Sequence, residues 1–302
     1  MNPPVIDMWA PIWPVADFLE DASERFPDEM LGYLRIFMRS ATTLEQVVKL
    51  FESFRLTDEQ LGKELESANV TRSLVTGFDE RSFCGKTFVS NDRVARVVER
   101  FGDRVIPFAG ADIGRGMTAV RELSTWVREH GFRGLSLRPF MIGLPADNRR
   151  YYPFYAKCVE LDIPVSIHMS ANWSQQRSNE LGNPRALETV AIDFPELEII
   201  MSHGGYPWVL DASLLAWKHP NVYLELAAHR PKYMGRPGTG WEPLLRFGPN
   251  QLRKKVLYGT GWFLLGARPG QLIGEFLELP LPDEVKADWL YGNAARLLKL
   301  ES

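Results

Sequence analysis

Short apolar runs alternate with longer amphipathic stretches along most of the chain. The apolar runs of strand length are residues 5–9, 71–76, 105–109, 134–138, 165–168, 198–203, 222–226 and 256–260. Stretches with helical spacing of apolar residues separate several of these runs, at 92–101, 118–130, 152–161 and 184–193. This alternation is typical of βα units, whose strands form a parallel sheet. Eight strands with intervening helices predict a (β/α)8 TIM barrel, which takes about 250 residues.

The surplus length lies mainly between residues 14 and 67. Apolar side chains recur there at helical spacing, among them Phe18, Phe26, Leu34 and Phe51. We interpret this segment as a helical insertion after the first strand, which either covers the barrel mouth or forms a subunit contact in a homodimer. The sequence shows no internal repeat or low-complexity linker, so we expect a single domain over residues 1–302.

Composition narrows the classes of function. Of the 302 residues, 45% are apolar, which is enough for a full core. Lys and Arg number 35 against 38 Asp and Glu, so the net charge is −3. The chain therefore has no overall positive charge that would attract nucleic acid or an anionic membrane. No apolar run approaches the roughly 20 residues of a spanning helix. Cys84 and Cys158 lack metal-type spacing and no secretory leader precedes them, so we expect a cytoplasmic protein with reduced thiols.

Several charged and imidazole side chains stand at strand ends. Alternate residues of a barrel strand face the interior. On that basis Asp7, Arg138, His168, His203 and Glu225 are predicted to point inward near the carboxyl ends of their strands. Barrel enzymes place their chemistry at that end. Of these residues, Asp7 is predicted to contact the substrate. Because an unpaired buried guanidinium is costly, Arg138 should either bind an anionic ligand or pair with Asp7 or Glu225.

Aromatic side chains also follow strand ends. Trp9, Trp173, Tyr206 and Trp262 occupy such positions. Ordinary packing would account for any one of them, but their number favours an aromatic wall that binds a planar substrate. His229, in the loop after the seventh predicted strand, is a weaker candidate for the same mouth.

Four landmarks occur in a characteristic order along the chain. They are the segment from Gly134 through Arg138, the segment from Tyr152 that leads to His168, the run Met-Ser-His203-Gly-Gly, and the segment from Tyr291 to Leu298. Together they resemble the amidohydrolase-related family, which contains the aminocarboxymuconate-semialdehyde decarboxylase and resorcylate decarboxylase type enzymes. The resemblance spans most of the chain and implies a TIM barrel.

The resemblance also implies a metal site. In the family, one metal ion is held by two first-strand histidines, the fifth-strand histidine and an eighth-strand aspartate, and the sixth-strand histidine is the acid/base. Carried over, His168 is the retained ligand and His203 the acid/base, whereas Trp9, Pro11 and Gly261 stand at the other ligand positions. A catalytic ion takes about three protein ligands. We therefore expect no metal cofactor, because the Zn or Mn site is lost.

Three functions remain open. The first is a metal-independent enzyme that acts on a small carboxylated or cyclic, aromatic molecule by decarboxylation, lactone-type hydrolysis or hydration. In it His203 is the acid/base, Arg138 and His168 stabilise negative charge, and Glu225 belongs to the same group. The second is a catalytically silent relative that binds a ligand or stabilises a partner. The third is a metal enzyme with rebuilt ligands. The first function is favoured, because burying charged residues inside the barrel costs free energy unless a polar ligand binds to them.

Overall fold

The computed structural model describes residues 3–10, 43, 45, 46, 49, 56–172 and 174–300. Eight parallel strands form one curled sheet, and a short antiparallel ribbon lies beside it. The sheet contains, in spatial order, β1 (Val5–Asp7), β2 (Val70–Thr76), β5 (Val105–Gly110), β6 (Leu135–Leu137), β7 (Val165–His168), β8 (Ile199–Ser202), β9 (Val222–Glu225) and β10 (Val256–Leu257). The ribbon pairs β3 (Phe78–Asp79) with β4 (Thr87–Val89). The prediction of a (β/α)8 fold is confirmed.

Helices follow most of the strands on the outside of the sheet. In the described residues they are α1 (Asp58–Ser67), α2 (Arg81–Cys84), α3 (Asn91–Phe101), α4 (Met117–His130), α5 (Pro139–Ile142), α6 (Tyr152–Leu161), α7 (Ala186–Asp193), α8 (Val209–Lys218), α9 (Pro231–Met234), α10 (Glu242–Phe247), α11 (Trp262–Leu265), α12 (Pro269–Leu277), α13 (Asp283–Ala287) and α14 (Asn293–Leu297). None of these helices is both long and apolar enough to cross a bilayer. Of the predicted insertion, α1 lies within the described residues, and most of positions 14–55 lie outside them.

The barrel interior is apolar at one end and polar at the other. Seven strand residues, Met8 just after β1, and three residues near the carboxyl terminus form the apolar group: Ile6, Met8, Leu74, Ile106, Phe108, Ile200, Tyr223, Leu257, Ala294, Leu297 and Leu298. Arg133, which precedes β6, donates to the Leu298 carbonyl at 2.9 Å, so α14 closes the amino-terminal end of the barrel. Toward the carboxyl ends, inward positions are polar, and the Ser166 and Ser202 hydroxyls lie 2.7 Å apart. The polar end is therefore where a ligand can be bound.

Hydrogen bonds between the ends of β1 and β10 close the barrel. The Met8 N–H donates to the Tyr258 carbonyl, and the Gly261 N–H to the Trp9 carbonyl, both at 2.9 Å. The Asp7 carboxylate accepts the Thr260 N–H at 2.8 Å and the Thr260 hydroxyl. Burial raises the pKa of Asp7 to about 6, although these hydrogen bonds oppose the shift. Asp7 was predicted to bind substrate, but its side chain is fully buried and closes the barrel instead.

Thr260→Val tests this closure, because valine has the shape of threonine but cannot donate to Asp7. At pH 8, where the carboxylate is ionised, we expect the free energy of unfolding to fall by about 1–3 kcal/mol, the cost of a buried charged group that loses a partner. Thr260→Ser keeps the hydroxyl and loses one methyl group, so it should cost about 1 kcal/mol or less. Urea denaturation measures both losses. An unchanged free energy of unfolding in Thr260→Val would show that the Thr260 hydroxyl does not stabilise the closure.

Candidate active site

A cavity of about 510 Å³ lies at the carboxyl ends of β7, β8 and β9. Its size suits a small-molecule ligand. Its described lining residues are His168, Ser170, Ala171, His203, Tyr206, Ala228, His229, Arg230, Tyr233, Gly238, Thr239 and Trp241. These twelve include three imidazoles and one guanidinium but no carboxylate. The cavity therefore favours a neutral or anionic ligand over a cationic one.

His203 follows β8 directly and has its protonation pattern fixed by one hydrogen bond. Its Nδ1 lies 3.0 Å from the Ala227 carbonyl oxygen. Because a carbonyl can only accept, Nδ1 must carry the proton, and Nε2 of the neutral ring keeps its lone pair. Burial lowers the pKa of His203 to about 4, so the ring is neutral at pH 7. The arrangement can therefore accept a proton at Nε2 within the cavity.

The Glu225 carboxyl group fixes the backbone of both residues in that hydrogen bond, His203 and Ala227. It accepts the main-chain N–H of His203 at 3.3 Å and the N–H of Ala227. It is buried, and burial raises its pKa to about 8. Glu225 was predicted to pair with Arg138, and this prediction was wrong because Arg138 pairs with Glu80 instead. Glu225 therefore holds the backbone of His203 in place, and it is not among the residues that line the cavity.

Arg138 pairs with a residue that the sequence did not indicate. Its Nε and Nη2 donate to the two oxygens of Glu80 at 2.8 and 2.6 Å, and both side chains are buried. The guanidinium carbon also lies 3.9 Å from the centroid of the Phe78 ring. The predicted partners of Arg138 were Asp7 and Glu225, and both predictions were wrong because Arg138 pairs with Glu80. Arg138 lies outside the described lining of the cavity, so Glu80 is the anion that it binds.

His168 ends β7 and contacts His203 across the cavity floor. The two ring centroids lie 4.8 Å apart at 64°, and Phe140 packs on the other side of His168 at 4.6 Å. Its Nε2 lies 3.4 Å from the Ser170 hydroxyl, while its buried Nδ1 has no hydrogen-bond partner among the described residues. Burial, with the nearby His203 and Arg138, holds the pKa of His168 well below its usual value. His168 thus lies beside His203 as a neutral ring, and its side chain points inward, as strand alternation predicted.

The aromatic wall differs from the predicted one. Tyr206 and Trp241 stack at 5.5 Å and 17°, and both line the cavity. Trp9 meets the His203 ring edge-on at 5.3 Å but is not in the described lining. Trp262 is 2% exposed and packs in the core. Of the four predicted aromatics, Tyr206 therefore lines the cavity and two do not, and Trp173 lies outside the described residues.

One stretch of chain supplies most of the lining that the sequence did not predict. His229, Arg230, Tyr233, Thr239 and Trp241 all belong to the segment between β9 and α10. His229 packs edge-on against Trp241 at 4.9 Å. These residues have no strand or long-helix periodicity, so the sequence indicated only His229 among them, and only weakly.

The eighth-strand metal-ligand position of the family, occupied here by Gly261, has no room for a side chain. Gly261 has a φ of 56°, and a Cβ there would lie 2.7 Å from the Ala228 nitrogen and 3.2 Å from Trp9 Cε3. Pro11 lies outside the described residues. Among the residues that are described, no three His, Cys, Asp or Glu side chains are grouped to hold a metal ion. These residues therefore do not reproduce the family's ligand set.

Glu225 predicts an unusual pH dependence of stability. The folded protein keeps this proton up to about pH 8, whereas an unfolded chain releases it near 4.5, so the unfolded state binds fewer protons in between. Glu225 alone therefore makes stability fall as pH rises between about 4.5 and 8. The buried histidines oppose this fall, because their pKa values are lowered in the folded protein. Denaturation at several pH values should therefore give the wild type a slope that is more negative than that of Glu225→Gln, by up to ~1.4 kcal/mol per pH unit. Equal slopes in the two proteins would contradict the assignment to Glu225.

Gly261→Asp tests whether the eighth-strand ligand position is closed. Gly131 is the matched control, because it has a φ of 69° but no atom within 4 Å of the place where a Cβ would lie. Both substitutions place an aspartate in a left-handed conformation, but only the first adds a clash. We expect Gly261→Asp to lose about 1–3 kcal/mol more unfolding free energy than Gly131→Asp, the usual range for overpacking. If both variants lose the same amount, the space beside Ala228 is open.

Known proteins share this fold over the whole chain. An uncharacterized TIM-barrel protein from Bordetella bronchiseptica superposes with a TM-score of 0.74 at 23% identity, covering 98% of both chains. The 2,6-dihydroxybenzoate decarboxylase from Rhizobium superposes with a TM-score of 0.67 at 16% identity, covering 100% of both chains. In sequence, the chain is 34% identical over 146 residues to a 2-keto-4-carboxy-3-hexenedioate hydratase from Sphingobium sp.. That match covers 39% of this chain and 41% of the hydratase.

Two further structural neighbours correct the prediction about cofactors. The 5-carboxyvanillate decarboxylase from Novosphingobium aromaticivorans has a TM-score of 0.68, 15% identity and coverage of 99% and 98% of the two chains. The dihydroxybenzoic acid decarboxylase from Polaromonas sp. JS666 has a TM-score of 0.66, 18% identity and coverage of 99% and 98%. Both were crystallised with bound manganese. The prediction of no metal cofactor was therefore wrong, since structural neighbours of this chain bind manganese.

The sequence landmarks, the barrel and the arrangement of His168 and His203 agree with one family. The family model for amidohydrolases matches residues 6–300, which is nearly the whole chain. The protein belongs to the amidohydrolase family.

Proposed function

We propose that the protein is a lyase that adds water to a small conjugated carboxylate, with His203 as the general base. One observation carries this proposal: the Ala227 carbonyl accepts from Nδ1 of His203 and so leaves Nε2 as a proton acceptor. The cavity that His203 lines has no described carboxylate in its lining and so suits an anionic substrate. The partial sequence match to a hydratase supports the same class of reaction.

The chemistry needs one proton acceptor that can also return the proton. Nε2 of His203 would remove a proton from water while the water oxygen bonds to one carbon of a double bond conjugated with a carboxylate. The electron pair of that double bond moves onto the conjugated system. The imidazolium then returns the proton to the neighbouring carbon, so the net change is the addition of one water molecule. Because burial lowers the pKa of His203 to about 4, the ring gives the proton back readily.

Decarboxylation is the second candidate, and the stacked pair of Tyr206 and Trp241 favours it. Their parallel rings, 5.5 Å apart, provide a flat surface for a planar ring such as a dihydroxybenzoate. The structural neighbours that decarboxylate such compounds support it as well. In this reaction a proton must be delivered to the carbon that loses CO₂. A His203 that is neutral at pH 7 starts without that proton on Nε2, and for this reason we place hydration first.

His203→Asn tests the role of Nε2. Asparagine can still donate to the Ala227 carbonyl, but it has no group in place of Nε2. We expect kcat to fall by about 10²–10⁴, the usual contribution of a general base, while the free energy of unfolding changes little. The substrates to assay are 2-keto-4-carboxy-3-hexenedioate and 2,6-dihydroxybenzoate, each with and without added manganese. His130→Asn, an exposed histidine, is the control.

The outcomes of this assay separate the alternatives. Turnover of the hexenedioate supports hydration, and turnover of the dihydroxybenzoate alone supports decarboxylation. Full activity in His203→Asn would remove that residue from the mechanism. Binding of either compound to the wild type without turnover under any condition would favour a catalytically silent relative.

A further inference from the structure

We infer that Arg230 is the carboxylate-binding subsite of the cavity. This inference rests on the proposed function, because it specifies how the substrate of that reaction is held. Arg230 lines the same cavity as His203 and is the permanent cation among the described lining residues. The other imidazoles there, His168 and His229, are kept neutral by burial, which lowers the pKa of both. A carboxylate that enters the cavity therefore finds its strongest donors at Arg230.

The pairing of Arg230 with Glu275 leaves donors for a ligand. Nε donates to one carboxylate oxygen at 3.0 Å, and Nη2 donates to the other. A guanidinium has five N–H donors, and this pairing uses two of them on one edge. Both hydrogens on Nη1 and one on Nη2 remain. These face away from Glu275 and form a second fork, which fits the two oxygens of a carboxylate.

Glu275 also holds the guanidinium in place. The two side chains are 18% and 14% exposed, and Glu275 lies on α12, outside the lining of the cavity. Glu275 accepts a further hydrogen bond from Gln271 at 3.3 Å. A long side chain that is fixed before the ligand arrives loses less conformational entropy on binding. Glu275 therefore orients Arg230 without competing for the cavity.

Positive charge continues at the cavity mouth. The Lys232 ammonium and the Arg236 guanidinium each lie 5.1 Å from the centroid of the Tyr233 ring, which lines the cavity. Both cations belong to exposed residues. Such charges raise the local concentration of an anion but are screened by salt. They attract a carboxylate in general, whereas Arg230 binds it at a defined place.

The ligand class follows from these contacts. The stacked rings of Tyr206 and Trp241 accept a flat conjugated group, and Arg230 accepts a carboxylate attached to it. His203, the proposed general base, lines the same cavity. The subsite therefore selects planar carboxylates over their neutral carboxamide counterparts.

Calorimetric titration tests this selection without any turnover. The probes are 2,6-dihydroxybenzoate and 2,6-dihydroxybenzamide, which share a ring but differ in charge. We expect Arg230→Gln to weaken binding of the carboxylate by about 10- to 150-fold, the range for a lost charged hydrogen bond, and to leave the carboxamide within about 3-fold. Arg236→Gln removes the same charge from the mouth and is the matched control. It should change neither affinity by more than about 3-fold at 0.15 M salt.

A second variant controls for loss of stability in Arg230→Gln. Arg230→Gln leaves Glu275 half-buried and without its partner, so we would also measure Arg230→Gln with Glu275→Gln, which removes both charges. The same weakening of the carboxylate in this double variant supports the subsite. Equal weakening of carboxylate and carboxamide, or an equal effect of Arg236→Gln, would overturn it, as would a wild type that prefers the carboxamide. The proposed function fails separately, when the carboxylate binds through Arg230 but no compound is turned over.

Discussion

A single buried carboxyl group, that of Glu225, fixes the geometry on which the cavity depends. It accepts the main-chain N–H groups of His203 and Ala227 at the carboxyl ends of two neighbouring strands. The Ala227 carbonyl then accepts from the His203 ring and sets which nitrogen carries the proton. His203 and Ala228 both have left-handed backbone conformations, with φ of 68° and 64°, which non-glycine residues adopt at a cost. Glu225 offsets that cost, because its carboxyl group accepts hydrogen bonds from the N–H groups of His203 and Ala227.

The other buried charges divide between architecture and ligand binding. Asp7 closes the barrel by accepting from Thr260, and Glu80 neutralises Arg138 beside the ring of Phe78. Neither pair borders the cavity. Arg230, by contrast, borders it with one edge bound to Glu275 and the other free of it. Burial of a charged group is therefore not by itself a sign of function in this barrel, and the cavity contacts separate the two uses.

The sequence predicted the fold well because strand alternation and helical spacing are local properties. All eight strands were located. His168 and His203 were predicted to point inward near the carboxyl ends of their strands, and the structure brings their rings together there. Glu80 and Arg230 were missed for the opposite reason. Each lies in a connection without periodicity, and each is brought to its place by contacts across the fold. The interpretation of residues 14–55, a homodimer, a cytoplasmic location and the lack of a nucleic-acid partner all stay predictions.

The central claim is that neutral His203 presents a free Nε2 to the cavity, and nitrogen NMR measures this directly. The chain has five histidines, so ¹⁵N-labelled protein gives a small set of long-range ¹H–¹⁵N patterns, and His203→Asn identifies the pattern of that ring. At pH 7 we expect a neutral ring protonated at Nδ1, with the Nε2 shift of an unprotonated nitrogen. A ring protonated at Nε2, or a charged imidazolium at that pH, would contradict the account.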